Sequence, residues 1–191
     1  PVAADTNSLI LNQKVLVPQY GIPEDSDALN VYREAMPGYE VIGFDDTIGD
    51  PWYAEDALHC RTMGVFDPKM IHIEHKNIRT EEVINNNIIN LTAEIIDYSN
   101  FDSELYSVIL HWKYSANDGP YSEIVLEFIG NNLYEGSFPL LNSNSFIEYY
   151  ISATNSIGKS ISHPIAGWHT FSTSNSYLGD VNGDDIINIQ D

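Results

Sequence analysis

The chain has 191 residues, 43% hydrophobic and 12% aromatic, enough for one large domain or two small ones with packed cores. Asp and Glu outnumber Lys and Arg by 28 to 8, a formal charge of −20 that would be repelled by nucleic acid and by anionic membrane. No run approaches the roughly 18 consecutive apolar residues of a membrane span, and the single cysteine, Cys60, leaves no disulfide within the chain.

Taken in order, Pro1 to Asp5 has neither the basic nor the apolar region of a signal peptide, so any export signal is expected upstream. Residues 1–67 read as α/β. Ser8-Leu9-Ile10-Leu11 and Lys14-Val15-Leu16-Val17 flank Asn12-Gln13, a hairpin signal. Asp25 to Met36 carries Ala28, Leu29, Tyr32 and Met36 at helical spacing, with Asp25 or Ser26 as the expected cap and Pro37-Gly38 as the stop. Tyr39 to Phe44 is a third strand, so the order strand, strand, helix, strand makes one repeat of something larger.

Residues 68–173 change character. Ile71–Ile78, Ile88–Tyr98, Ser107–Tyr114, Ser122–Ile129, Asn132–Phe138, Phe146–Thr154 and Ser160–Phe171 alternate like strands between Asn, Gly, Ser and Pro clusters. Such spacing predicts a β-sandwich. The run Glu148 to Asn155 followed by Gly158 resembles a late strand of immunoglobulin-like or fibronectin-like domains, modules that usually serve as a spacer or packing partner and carry no chemistry themselves. Asn90-Leu91-Thr92 matches a glycosylation sequon inside a predicted strand and carries no weight. Residues 174–191 are a polar linker and an acidic tail.

A lone cysteine is usually an inert core residue. Cys60 stands in Asp56-Ala57-Leu58-His59-Cys60-Arg61-Thr62, after Trp52-Tyr53, at an expected junction between a loop and an element. Cationic neighbours or a helix N-terminus there would favour the thiolate, which makes it a candidate reactive thiol.

Four blocks carry a resemblance: Thr6-Asn7-Ser8-Leu9-Ile10-Leu11-Asn12, Asp27-Ala28-Leu29-Asn30-Val31-Tyr32, Ala35-Met36-Pro37-Gly38-Tyr39-Glu40 and Asp56 to Thr62. In that order they resemble the C-terminal end of the catalytic domain of bacterial peptidyl-arginine deiminases, within the agmatine deiminase or pentein superfamily. The resemblance implies an α+β chain in which residues 1–67 are the last βαβ blade of a five-bladed α/β propeller, followed by an immunoglobulin-like β-sandwich. It implies that Cys60 is the nucleophile and Asn7 an active-site residue, with no cofactor for catalysis. The implied reaction hydrolyses the guanidinium of an arginine-containing peptide or protein to citrulline and ammonia. The family's catalytic histidine and two guanidinium-binding aspartates belong to earlier blades. His59 is therefore read as structural, and Asp45, Asp46 and Asp50 as a solvated loop. This chain by itself is expected to be inactive without the upstream part of the enzyme.

The tail from Asp180 to Asp191 fits a calcium loop, with Asp180, Asn182, Asp184, the Ile186 carbonyl, Asn188 and Asp191 as ligands. Oxygen donors at alternating positions let one tight loop wrap a hard cation. With Gly179 it resembles the first calcium loop of a type I dockerin, which implies a secreted or surface-attached bacterial protein. Asp185 replaces the usual turn glycine, and the loop is only part of a dockerin; a cohesin partner would require the complete module.

Two other functions stay open. Agmatine deiminase and related small-guanidine hydrolases share the cysteine but usually carry a glycine-rich stretch before it, where this chain has Trp52 to Leu58. A non-enzymatic sandwich that binds protein or carbohydrate would have no use for a reactive thiol.

Overall fold

The computed structural model describes residues 7–44, 60, 62–80, 83, 88–99, 105–139 and 141–173. It is mostly β-sheet with one helix, and it falls into two compact units: residues up to Asp67 with Ile165–Gly167, and the chain from Pro68 apart from those three residues.

The first unit is a three-stranded sheet in the order β1 (Leu9–Leu11), β2 (Lys14–Pro18), β3 (Glu40–Phe44). β1 and β2 are antiparallel, closed at Asn12, which takes φ +52°, a left-handed conformation that Asn tolerates. β2 and β3 are parallel, so the chain must cross over between them, and α1 (Asp25–Ala35) makes that crossing. Val15 and Val17 on the central strand are fully buried. Ala28, Leu29, Tyr32 and Met36 form the half-buried side of the helix, while Val31 on the opposite side is exposed. The helix ends as its pattern predicts. The Met36 N–H bonds to the Tyr32 carbonyl, and Gly38 supplies φ +88° beyond Pro37.

The helix start differs from expectation. Its N-cap is Glu24, with no side-chain hydrogen bond, and neither Asp25 nor Ser26 caps it. Ser26 donates back to the Pro23 carbonyl. Asp25 is buried, and its carboxylate accepts from the backbone N–H groups of Tyr20, Gly21 and Ile22 at 2.8–3.1 Å. A charged acceptor holding three amides ties down the loop between β2 and α1 more firmly than a neutral cap would tie the helix.

The second unit is a β-sandwich. One sheet has the order β4 (Ile71–Glu74), β5 (Asn90–Asp97), β9 (Leu133–Ser137), β8 (Glu127–Gly130). The other runs β11 (Ser160–His163), β10 (Phe146–Asn155), β6 (Leu105–Tyr114), β7 (Ser122–Val125), with β12 (His169–Ser172) also on β10. Period-two burial explains the pairing of the sheets. Leu91, Ala93 and Ile95 of β5 face Ile147, Tyr149, Ile151 and Ala153 of β10, with Ile71, Ile73, Val108, Leu110, Phe138 and Phe171 in the same core.

Two predicted single strands are each divided. Ser122–Ile129 breaks at buried Leu126, where the chain leaves one sheet for the other and the Leu126 N–H bonds to the Val108 carbonyl. Gly136 on β9 makes room: a Cβ there would collide with the Leu126 side chain. Ser160–Phe171 breaks at Pro164, which has no N–H for the ladder, so β11 and β12 occupy successive stretches of the same edge of β10. Asn155, at the end of β10, is buried but satisfied. Its amide donates to Asp97 and Ser99, and its carbonyl accepts from the Lys159 N–H.

Asp25→Ala leaves three amides without their acceptor and is expected to cost the first unit about 1–3 kcal/mol. Hydrogen exchange reads it directly: Tyr20, Gly21 and Ile22 should lose protection while β10 keeps its own. Unchanged protection at those three amides would show that the carboxylate does not hold the loop.

Candidate functional site

Asn7 lies two residues before β1 and is half-buried. The segment that carries it is pinned from the helix, since the Tyr32 hydroxyl donates to Ser8 Oγ at 2.9 Å. Tyr32 is on the packed side of α1 because it follows Leu29 by three residues and Ala28 by four, so helix periodicity sets where the Asn7 segment is tethered. Two sequence blocks far apart in the chain are thus joined by one hydrogen bond.

Cys60 is exposed and in no disulfide. The residues after it stay open to solvent as well, with Met63 and Val65 each more than four-fifths exposed and Phe66 65% exposed. An exposed thiol is available to an incoming electrophilic carbon. Asp45, Asp46, Asp50 and His59 lie outside the described residues, and so do the six loop ligands Asp180, Asn182, Asp184, Ile186, Asn188 and Asp191. Among the described residues no three His, Cys, Asp or Glu side chains are placed to hold a metal, and no helix is long and apolar enough to cross a membrane.

The sandwich brings together residues that the sequence did not single out. On the outer face of β6 and β10, the Tyr150 and His111 rings stack at 4.4 Å, and His111 Nε2 meets Ser152 Oγ at 2.8 Å. Lys113 sits 4.9 Å from the Tyr121 ring centre and 3.7 Å from the Glu148 carboxylate. Burial, then the charge of Glu148, pushes the Tyr121 hydroxyl up to about 12, so that it remains a neutral donor to Glu148. Burial lowers the His111 pKa, partly offset by Glu123.

A cleft of about 580 Å³ opens beside β6 and β7, lined among others by Ile95, Leu105, Phe128, Asn132 and Tyr134. Asp97 also borders it, but its carboxylate is already engaged with Ser99 and Asn155.

A third grouping lies at the other edge, where the His75, His163 and His169 rings cluster beside Tyr149 and His75 bonds to its hydroxyl. Nothing in the spacing of residues 75, 163 and 169 announces this grouping. It follows from β11 and β12 sharing one edge of β10.

Among solved structures, one titled "Crystal structure of Br derivative BhCBM56" is similar at 18% identity, over 56% of this chain and 96% of that one, with a TM-score of 0.34. Residues 2–65, which carry Asn7, Cys60 and the whole βαβ unit, match the family of Porphyromonas-type peptidyl-arginine deiminases.

Proposed function

We propose that residues 1–67 are the final blade of a peptidyl-arginine deiminase catalytic domain, that Cys60 is its nucleophile, and that Asn7 belongs to the same active site. The observation that carries this reading is the family match over residues 2–65, which spans both residues. Two features of the first unit support it. Among the described residues its three-stranded sheet ends at β1 and β3, and so small a sheet is marginal alone. It also leaves Ile10, Leu11, Val31 and Phe44 exposed, a set of apolar side chains suited to packing against further blades.

The chemistry follows from the thiol. The Cys60 thiolate adds to the guanidinium carbon of a substrate arginine. Protonation of one amino group lets ammonia leave, and a thiouronium adduct on sulfur remains. Water adds to the same carbon, the carbon–sulfur bond breaks, and the urea of citrulline departs with the thiolate restored. The sum is arginine plus water giving citrulline plus ammonia. The proton carrier and the carboxylates that orient the guanidinium are assigned to the upstream blades, and no cofactor is required. The second unit is read as an immunoglobulin-like spacer. Asp180 to Asp191 is read as a partial dockerin-like calcium loop on a secreted or surface-attached protein.

A second reading, a non-enzymatic binding module, is favoured by the aromatic-lined cleft beside Phe128 and Tyr134. Activity separates the two. Joined to its upstream region, the protein is expected to form citrulline from arginine peptides and far less product from agmatine. Cys60→Ala should lower that rate by on the order of 10³-fold or more. Turnover of agmatine alone would move the assignment to the small-guanidine hydrolases. A folded protein with no activity on either substrate would leave the binding reading standing. The 191-residue chain alone is expected to release no ammonia.

The tail has its own measurement. Terbium luminescence should report one weak site that calcium competes for and that Asp180→Ala with Asp184→Ala removes; emission unchanged by the double substitution would exclude the loop as a cation site.

A further inference from the structure

We propose that His75, His163 and His169 form an acid-operated clasp around Tyr149: with neutral rings they close the seam between the β4–β5 sheet and the β10–β11–β12 sheet, and protonation opens it.

The placement comes from register. His163 pairs with Ile151 and His169 with Tyr149, and directly paired residues share a face, so both imidazoles point to the inner side of the sheet. His75 reaches the same spot from the opposite sheet, just after β4. The ring centres are 5.0 Å apart for His163 and His169, 5.7 Å for His75 and His169, and 6.3 Å for His75 and His163. Tyr149, fully buried, lies 5.7 Å from His75 and 5.2 Å from His169.

The hydrogen bonds accept one protonation state. His75 Nδ1 faces the Thr92 carbonyl at 2.9 Å, and a carbonyl only accepts, so Nδ1 carries the proton. Nε2 is then a bare acceptor, and the Tyr149 O–H donates to it at 2.9 Å while the Tyr149 oxygen accepts the Ile78 N–H. This chain of bonds joins the two sheets. A proton on Nε2 would make both groups donors, and the buried Tyr149 O–H would lose His75 as an acceptor. His169 Nε2 is likewise buried with no partner among the described residues, so a second N–H on that ring has nothing to receive it.

The surrounding charges point the same way. β4 and its following loop present His72 and His75, β11 presents His163, β12 presents His169, β10 presents the Tyr149 phenol, and β5 offers the Thr92 carbonyl. Burial lowers all three cluster histidines. His163 is lowered further by His75 and His72, and His169 is held at about 4 by burial and then by His163 and His75. In the unfolded chain a histidine takes its proton near pH 6.5. The clasp is therefore whole above about pH 6.5 and weakens as pH falls toward about 4, because the open state binds protons that the closed state refuses. Mutual repulsion at these distances makes a second proton harder to place in the closed form, so opening should be concerted.

The test uses the 191-residue chain, its histidine rings followed by NMR from pH 7.5 to 4 alongside amide exchange in β4 and β11. The expected result is three rings that stay neutral well below pH 6.5 and take up protons together, as β4 and β11 lose protection. Rings that titrate near pH 6.5 with both strands still protected, or opening without protonation of the cluster, would overturn the proposal. His169→Gln, with no proton to gain, should remove on the order of a hundredfold from the change in folding equilibrium between pH 6.5 and 4. An unaltered pH dependence in that variant would also overturn it. If the variant does not fold at pH 7.5, the ring titration of the unmodified chain decides alone.

Discussion

The Tyr149 hydroxyl sits in the sandwich core with no solvent to turn to, and it is satisfied from two directions at once, by His75 Nε2 and by the Ile78 N–H. A buried hydroxyl left without partners is costly, so the position of every group that serves it is constrained. The chain leaving β4 must return past the core at Ile78, and Thr92 on β5 must orient the His75 ring. Phe138 and Phe171 then pack edge-on against the phenol ring and close the inner layer. Much of how β4 and β5 meet β10 and β12 depends on this one residue.

The first unit is organised differently. Among its described residues the apolar interior is Val15, Val17 and one side of α1, and polar anchors add to its order. Asp25 holds the β2–α1 loop by three amides, and Tyr32 holds the segment before β1 through Ser8. Loops fixed in this way present side chains in defined positions.

The only thiol in the chain, Cys60, is exposed in the first unit. The sandwich holds five of the six histidines; among them His75 is bonded to Tyr149 and Thr92, and His111 is bonded to Ser152 beside Glu123. Burial lowers the pKa of His75, His111, His163 and His169, which suits these rings to neutral packing more than to proton transfer.

The local elements were legible in the residues alone. Asn12 marked the hairpin, the Ala28, Leu29, Tyr32, Met36 spacing marked the helix, Pro37-Gly38 marked its end, and alternation marked the sandwich strands, because each depends on neighbours within a few positions. The same blocks carried the likeness to peptidyl-arginine deiminases, and the family match covers all of them. What the residues did not disclose depends on partners distant in sequence. Local propensity favours Asp25 or Ser26 as a helix cap, whereas the folded loop offers the Asp25 carboxylate three amides on the other side. The sheet switch at Leu126 needed Gly136 opposite it, and the break at Pro164 acquires meaning only where β11 and β12 both lie along β10. The histidine cluster is the plainest case: residues 75, 163 and 169 have no shared period, and only strand register, which tertiary packing decides, sets their rings about 5–6 Å apart beside buried Tyr149.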